Sequence, residues 1–231
     1  MKHQRNKKDR DIVKEIRKDD FIKKINKIDD LSWKEAYDII HDFCYSDIKL
    51  HLNEVKQILC FKNKDLIDLF LREYILFDEN DKTYVELFIN DNLDHKNTAF
   101  VSDLLYFATD LSLNINYLKV LNLIKKNAKD ENYIVLAAIH YIANNIKYYY
   151  VEEIVSSFKI VVNSKDYFQS EQILASISLY RITGKQSFLD FITELIDYDK
   201  ENLVFLNNLL TEKSYREEYF DLTEIRSKVL K

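Results

Sequence analysis

The chain predicts an all-α protein built from stacked antiparallel helix pairs, on three observations. Its 231 residues include no proline and one glycine. Apolar residues recur at helical spacing along nearly the whole length, and strict alternation is scarce. The breaks between these stretches are runs of Asn, Asp, Ser and Lys. Proline breaks helix interiors, and glycine supplies the positive φ of tight turns. Sandwiches, barrels and doubly wound folds use many of both. Hydrophobic residues make up 47% and charged residues 32%, a balance that separates this chain from disordered ones. A chain of this length buries roughly 70% of its unfolded surface, so folding needs neither disulfide nor metal.

The elements follow in order. Ile12, Ile16, Ile22 and Ile25 predict a first helix over about 11–27. Ser32-Trp33-Lys34-Glu35 has the capping-box pattern and opens a second, through about Phe43. Ser46 is expected to cap a third, carrying Leu52, Val55, Ile58 and Leu59. Asn63 precedes a fourth, over 66–77. The polar run Asp78-Glu79-Asn80-Asp81 reads as a break before a short helix over 84–89. Asp91 to Asn97 reads as another break. Helices are expected over 98–111, 116–126, 130–142, 147–162 and 166–183. The last stops at Gly184, the only glycine, which suits a left-handed residue after a helix end. Helices over 187–196, 201–210 and 215–230 complete a predicted ten to thirteen.

The pairs recur. Ile134, Ala137, Ala138, Tyr141 and Ala143 map by a shift of 39 onto Ile173, Ser176, Ile177, Tyr180 and Ile182. A shift of 35 the other way reaches Ala99, Ser102, Asp103, Tyr106 and Ala108, where Asp103 alone breaks the small–aromatic–small pattern. Helix pairs repeating at about 35–40 residues mark an α-solenoid. Residues 98–197 resemble HEAT-like repeats. That resemblance implies a right-handed α-solenoid of stacked antiparallel helix pairs. The Pro and Arg usual at HEAT turns are absent, which leaves a TPR-like or an irregular helical array as the alternative. The expected organisation is a basic arm over 1–10 and a single helical domain over 11–231.

The net charge is −5. Lys2, Arg5, Lys7, Lys8 and Arg10 against Asp9 make the arm basic, so the body is more acidic than the whole. An acidic body argues against nucleic acid, whose phosphates need concentrated Lys and Arg. It counts, with the single Trp33, against a HEAT-like DNA glycosylase. No apolar run follows the basic start, so no signal peptide is expected. None approaches the ~20 residues that span a bilayer. Cys44 and Cys60 make no disulfide framework, and Cys60 on the run Ile58–Phe61 is expected to be buried. A reducing, cytoplasmic setting is the expectation.

Chemical motifs give little. His41 and Cys44 share a helical face, with Asp47 and His51 beyond, but one loose cluster lacks the two tight pairs of a structural zinc site. Thr183-Gly184-Lys185-Gln186-Ser187 lacks the upstream glycine and the preceding strand of a phosphate loop. No nucleophile elbow is present, and His3, His41, His51, His95 and His140 have no patterned Ser or Cys partner. No enzyme activity, metal or organic cofactor is expected.

The run Tyr148-Tyr149-Tyr150 before Glu152-Glu153 is the most informative segment. Tyr150, Ile154 and Phe158 share an inward spacing, which turns Tyr149, Glu152, Glu153 and Ser156 outward. Asp190, Glu194 and Asp197 fall on the second helix of the next pair. Second helices line the concave face of HEAT-like arrays, so these residues are the candidate partner-binding set. An acidic segment over 78–94 is a second candidate. Both fit another protein with a basic surface, because complementary charge steers encounter. The expected function is a protein–protein interaction module, and in its sharpest form an immunity protein of a bacterial toxin system that neutralises a basic toxin domain. A TPR-like peptide receptor is the alternative. No membrane partner is expected.

Overall fold

The computed structural model describes residues 18–46, 48–129, 133–145, 151–211 and 222–229. The arm over 1–10 lies outside these residues. The described residues hold thirteen α-helices, one 3₁₀ turn and no strand. Contacts divide the chain into two compact units, 2–95 and 96–231.

The first unit holds α1 (Lys18–Ile25), a 3₁₀ turn (Ile28–Asp30), α2 (Trp33–Cys44), α3 (Leu52–Leu59), α4 (Lys64–Glu73) and α5 (Glu79–Asn92). α2 packs on α1 and α4, and α3 packs on α4 and α5. Rings fill the space between them. Phe21 stacks on Phe43 with centroids 3.6 Å apart, and Phe70 stacks on Tyr74 at 5.0 Å. α2 starts as its sequence predicts. The Glu35 N–H donates to Ser32 Oγ at 3.4 Å, and the Ser32 N–H donates to Glu35 Oε2 at 3.1 Å.

Three boundaries differ from expectation. Ser46 does not cap α3. Its hydroxyl donates to the Phe43 carbonyl at 2.7 Å and closes the end of α2. α3 begins six residues later, with His51 as cap, where the His51 N–H meets Glu54 Oε2 at 2.6 Å. α4 ends at Glu73 rather than Phe77, and Tyr74 is already extended at φ −79°, ψ 119°. The buried Tyr74 hydroxyl accepts the Leu50 N–H at 2.8 Å, a tertiary bond that holds this residue outside the helix. The expected break at 78–81 is the start of α5. Asp78 Oδ1 accepts the N–H groups of Asn80 and Asp81, and the Asp78 N–H donates to Asp81 Oδ2, each at 3.0 Å. Cys60 is exposed, not buried, because it is the C-cap of α3 and its side chain leaves the apolar face.

The second unit holds α6 (Thr98–Asp110), α7 (Tyr117–Lys126), α8 (Ile134–Asn145), α9 (Val151–Asn163), α10 (Gln169–Thr183), α11 (Ser187–Tyr198), α12 (Glu201–Thr211) and α13 (Leu222–Val229). α8 packs on α6, α7 and α10; α9 packs on α7 and α10. α11 packs on α10, α12 and α13, and α10 also meets α12. α8 is apolar nearly all round, as suits a helix enclosed on several sides. Asn144 and Asn145 lie beyond the expected end at 142 and close α8. Each Nδ2 donates to the carbonyl four residues back at 2.9 Å, which lets both stay buried.

Ala138 and Ile177 are both fully buried. Of the earlier set, Ser102 and Ala108 are buried, whereas Ala99 and Asp103 are exposed. α10 ends as expected. Gly184 has φ 66° and its N–H donates to the Tyr180 carbonyl at 2.7 Å, so this segment is a helix cap. α10 starts at Gln169, later than expected, because 164–168 is tied elsewhere. The Tyr167 hydroxyl donates to the Ile124 carbonyl at 3.2 Å, and the Asp166 carbonyl accepts the Lys129 N–H at 2.7 Å.

Candidate partner-binding surfaces

On α9, Ile154 and Phe158 are fully buried, while Glu152, Glu153 and Ser156 are exposed. The helical spacing therefore divides α9 as its sequence predicts. Tyr149 and Tyr150 lie outside the described residues, as does Asp47. One ring reaches the carboxylates from another helix: the Tyr117 hydroxyl donates to Glu153 Oε2 at 2.9 Å. Ile160 extends the strip of Glu152 and Ser156 by one more turn and is exposed, as is Leu118 on α7. The surface is thus acidic with apolar edges. Lys119 and Lys159, also exposed, dilute its charge.

Asp190, Glu194 and Asp197 are exposed on α11. Two of them have local partners, Gln186 Nε2 to Asp190 at 3.3 Å and Lys200 Nζ to Asp197 at 3.4 Å. At the end of the same helix Tyr198 is 83% exposed. The main helix contacts join α9 to α7 and α10, and α11 to α10, α12 and α13, so α10 is the neighbour they share. Sequence reasoning singled out neither Tyr117 nor Tyr198. Tyr117 is four positions from Leu121 on a helix with no acid of its own, so only packing brings it to Glu153.

The acidic segment over 78–94 is partly consumed by the fold. Asp81 is buried, and burial raises its pKa. Lys49 Nζ meets Asp78 Oδ2 at 2.9 Å, and that bond lowers the Asp78 pKa and raises that of Lys49. A hollow of about 360 Å³ lined by Lys49, His51, Asp78 and Asp81 opens beside this pair. Asp78 and Asp81 cap α5, and Lys49 pairs with Asp78.

His41 and Cys44 diverge. Cys44 is fully buried, whereas His41 lies in a stack of rings along α2. Trp33, Tyr37, His41 and Tyr45 follow one another at four-residue intervals. Their ring centroids are 5.1, 5.7 and 4.7 Å apart in turn. Trp33 is 53% exposed, and the other three rings are half-buried. Asp38 and Asp42, one position on from Tyr37 and His41, are exposed, as is Lys34 next to Trp33, and Asp42 Oδ1 is 3.8 Å from His41 Nδ1. The Tyr45 hydroxyl donates to Glu73 Oε2 at 3.3 Å at the far end. Among the described residues no group of three or more His, Cys, Asp or Glu side chains could hold a metal ion.

Two buried ionisable groups lie inside the second unit. Burial raises the Glu171 pKa to about 7, against the opposing bond from the Phe168 N–H at 2.9 Å. Burial lowers the His140 pKa to about 4, and its ring lies 5.7 Å from that of Tyr106. Among the described residues no helix is long and apolar enough to cross a membrane. No family model, curated protein or solved structure matches the chain.

Proposed function

We propose that this chain is a protein-binding module, a HEAT-like right-handed α-solenoid whose acidic surface takes a basic protein. Its most specific form is an immunity protein that binds and neutralises a basic toxin domain. One observation carries the reading: Glu152, Glu153 and Ser156 on α9 are all exposed beside a tyrosine that bonds one of the carboxylates. Asp190, Glu194 and Asp197, with the exposed ring of Tyr198, extend the same chemistry on α11. Exposed carboxylates speed encounter with a basic partner, and an aromatic anchor slows dissociation.

The packing order supports the array. α6, α8, α10 and α12 meet in succession, and so do α7 with α9 and α11 with α13. Contact with the helix two places on is what stacked pairs produce. The test is co-expression with the product of the adjacent gene, then calorimetric titration of the pair. Changing Glu152→Lys and Glu153→Lys together is expected to weaken binding about tenfold or more with unchanged circular dichroism, since exposed substitutions shift stability by about 0.5 kcal/mol or less. Affinity should also fall as salt rises past ~0.1 M. Unchanged affinity and no salt dependence would move the interface off α9.

A further inference from the structure

The ring stack on α2 belongs to the first unit and has no part in the surface just proposed. Its geometry is regular. Four rings climb one helical flank, from Trp33 to Tyr45, over about 18 Å at 1.5 Å per residue. Ala36, Ile40, Phe43 and Cys44 turn inward, so the core does not consume the stack. Trp33 keeps 53% of its surface in water at one end. Large aromatic side chains left half-exposed in a row carry interface energy well, because each offers wide area with few rotors.

Charge identifies the occupant. Lys34, Asp38 and Asp42 follow Trp33, Tyr37 and His41 by one position each and are exposed, so two carboxylates outweigh one ammonium along this flank, and Asp42 Oδ1 lies 3.8 Å from His41 Nδ1. Glu73 sits at the Tyr45 end, bonded to its hydroxyl. Rings bordered by carboxylates repel the phosphates of a nucleic acid but suit long cationic side chains. The stem of an arginine or lysine packs along ring edges while its charged end reaches a carboxylate. A guanidinium also stacks on indole, and Trp33, packed on Tyr37, keeps about half of its surface in water. The spacing fits an extended chain. Rings one helical turn apart rise about 6 Å, and alternate side chains of an extended segment stand about 6.8 Å apart.

We propose that the α2 ring stack is a docking strip for an extended, arginine-rich segment of a partner protein. Its alternate side chains lie along the rings and pair with Asp38 and Asp42. The proposal does not rest on the α9 reading, and each can fail without the other.

The experiment uses the full chain and a fluorescein-labelled octapeptide of alternating Arg and Ser, read by anisotropy. The expected result is saturable binding. Trp33→Ala should weaken it about tenfold, and so should the double change Asp38→Asn with Asp42→Asn, which keeps every ring in place. Glu152→Lys with Glu153→Lys should leave it unchanged. Circular dichroism and melting of each variant show that the fold persists. Several outcomes overturn the proposal: affinity unmoved by both α2 variants, equal binding of an alternating Glu-Ser peptide, or tighter binding of an oligothymidylate. Loss of binding in the α9 variant alone leaves the strip idle and assigns the peptide to α9. A dimer that dissociates on Trp33→Ala means that the stack faces a second copy instead.

Discussion

Residues 32–92 and 97–163 build the same frame from different side chains. Ser32 and Asn97, 65 positions apart, cap α2 and α6. At the same shift Ala36, Ile40 and Phe43 match Val101, Leu105 and Ala108, and all six are buried. Val55, Ile58 and Leu59 of α3 match Val120, Leu123 and Ile124 of α7, again all buried. A shift of 67 brings Ile67, Phe70, Leu71 and Tyr74 onto Ile134, Ala137, Ala138 and Tyr141. The frame is filled in two ways. The first region uses rings, Phe43, Phe70 and Tyr74, where the second uses Ala108 and Ala137 around one ring, Tyr141. Helix spacing depends on the side chains at the contact, so alanines permit a closer approach of α6 and α8 than phenylalanines allow between α2 and α4.

The tyrosines show what the frame requires. Each extended connector leading into the shorter helix of a pair leaves a buried backbone N–H, at Leu50 and at Ile115. A tyrosine hydroxyl accepts both, Tyr74 at 2.8 Å and Tyr141 at 3.0 Å. Tyr141 also donates to the Leu113 carbonyl at 2.9 Å, so it closes its connector from both sides. Burial pushes the Tyr74 pKa up to about 12, and its proton stays in place at any ordinary pH.

The largest expected effect separates these two clasps. Tyr141→Phe leaves two buried backbone groups without this partner and is expected to lose ~2–3 kcal/mol. Tyr74→Phe, by the same reasoning, loses ~1–2 kcal/mol. Urea midpoints of the two variants measure the difference. Equal losses would mean that the clasps do not differ in the way their hydrogen bonds suggest.

A smaller effect belongs to the second unit. The folded pKa of Glu171 lies above its ordinary 4.5, at about 7. The folded state therefore holds a proton that the unfolded state releases between these values. That contribution is complete below pH 4.5 and is lost as pH rises through 7. Glu171→Gln keeps an acceptor for the Phe168 N–H and removes the charge. It should stabilise the protein by ~1 kcal/mol at pH 8 and have little effect at pH 4.5. His140 has the opposite sign, with a folded pKa near 4 below its ordinary 6.5. Its contribution is present above pH 6.5 and is lost as pH falls through 4, so melting curves of the Gln variant expose it.

The smallest change tests the spacing of 39 that equates Ala137 with Ser176. Ser176 Oγ is buried with no hydrogen-bond partner among the described residues. Ser176→Ala should raise stability by ~0.5–1 kcal/mol in the same urea assay, because an unsatisfied hydroxyl is removed at almost no loss of volume. Destabilisation would show that the hydroxyl has a role its counterpart Ala137 lacks.

Local features were legible in the sequence, and tertiary ones were not. Ser32, Asn63, Asn116 and Gly184 act on backbone within a few residues, and each marks a boundary as its residue type suggests. Ile154 and Phe158 are buried because helical spacing alone puts them on one face. Ser46 and Asp78 depart from expectation because either side of a short connector offers a polar residue that could cap. The choice rests on Tyr74 and Lys49, 24 and 29 residues from their partners. With sixteen tyrosines along the chain, nothing local sets Tyr74, Tyr117 and Tyr141 apart from the rest. Of the candidate surface, the outward turn of Glu152 and Glu153 was readable. The ring that bonds one of those acids, Tyr117, comes from α7, and no periodicity within α9 points to it.

The ring stack on α2 also has an optical consequence. Trp33 is the single tryptophan of the chain, and Tyr37 lies 5.1 Å from it. Selective excitation of indole therefore lights one turn of one helix, half in water, and nothing in residues 96–231. Emission reports the surroundings of that turn alone, whereas far-ultraviolet ellipticity sums every helix, thirteen among the described residues. The protein thus carries a built-in local probe beside a global one, and any disagreement between the two melting curves measures how independently its two units come apart.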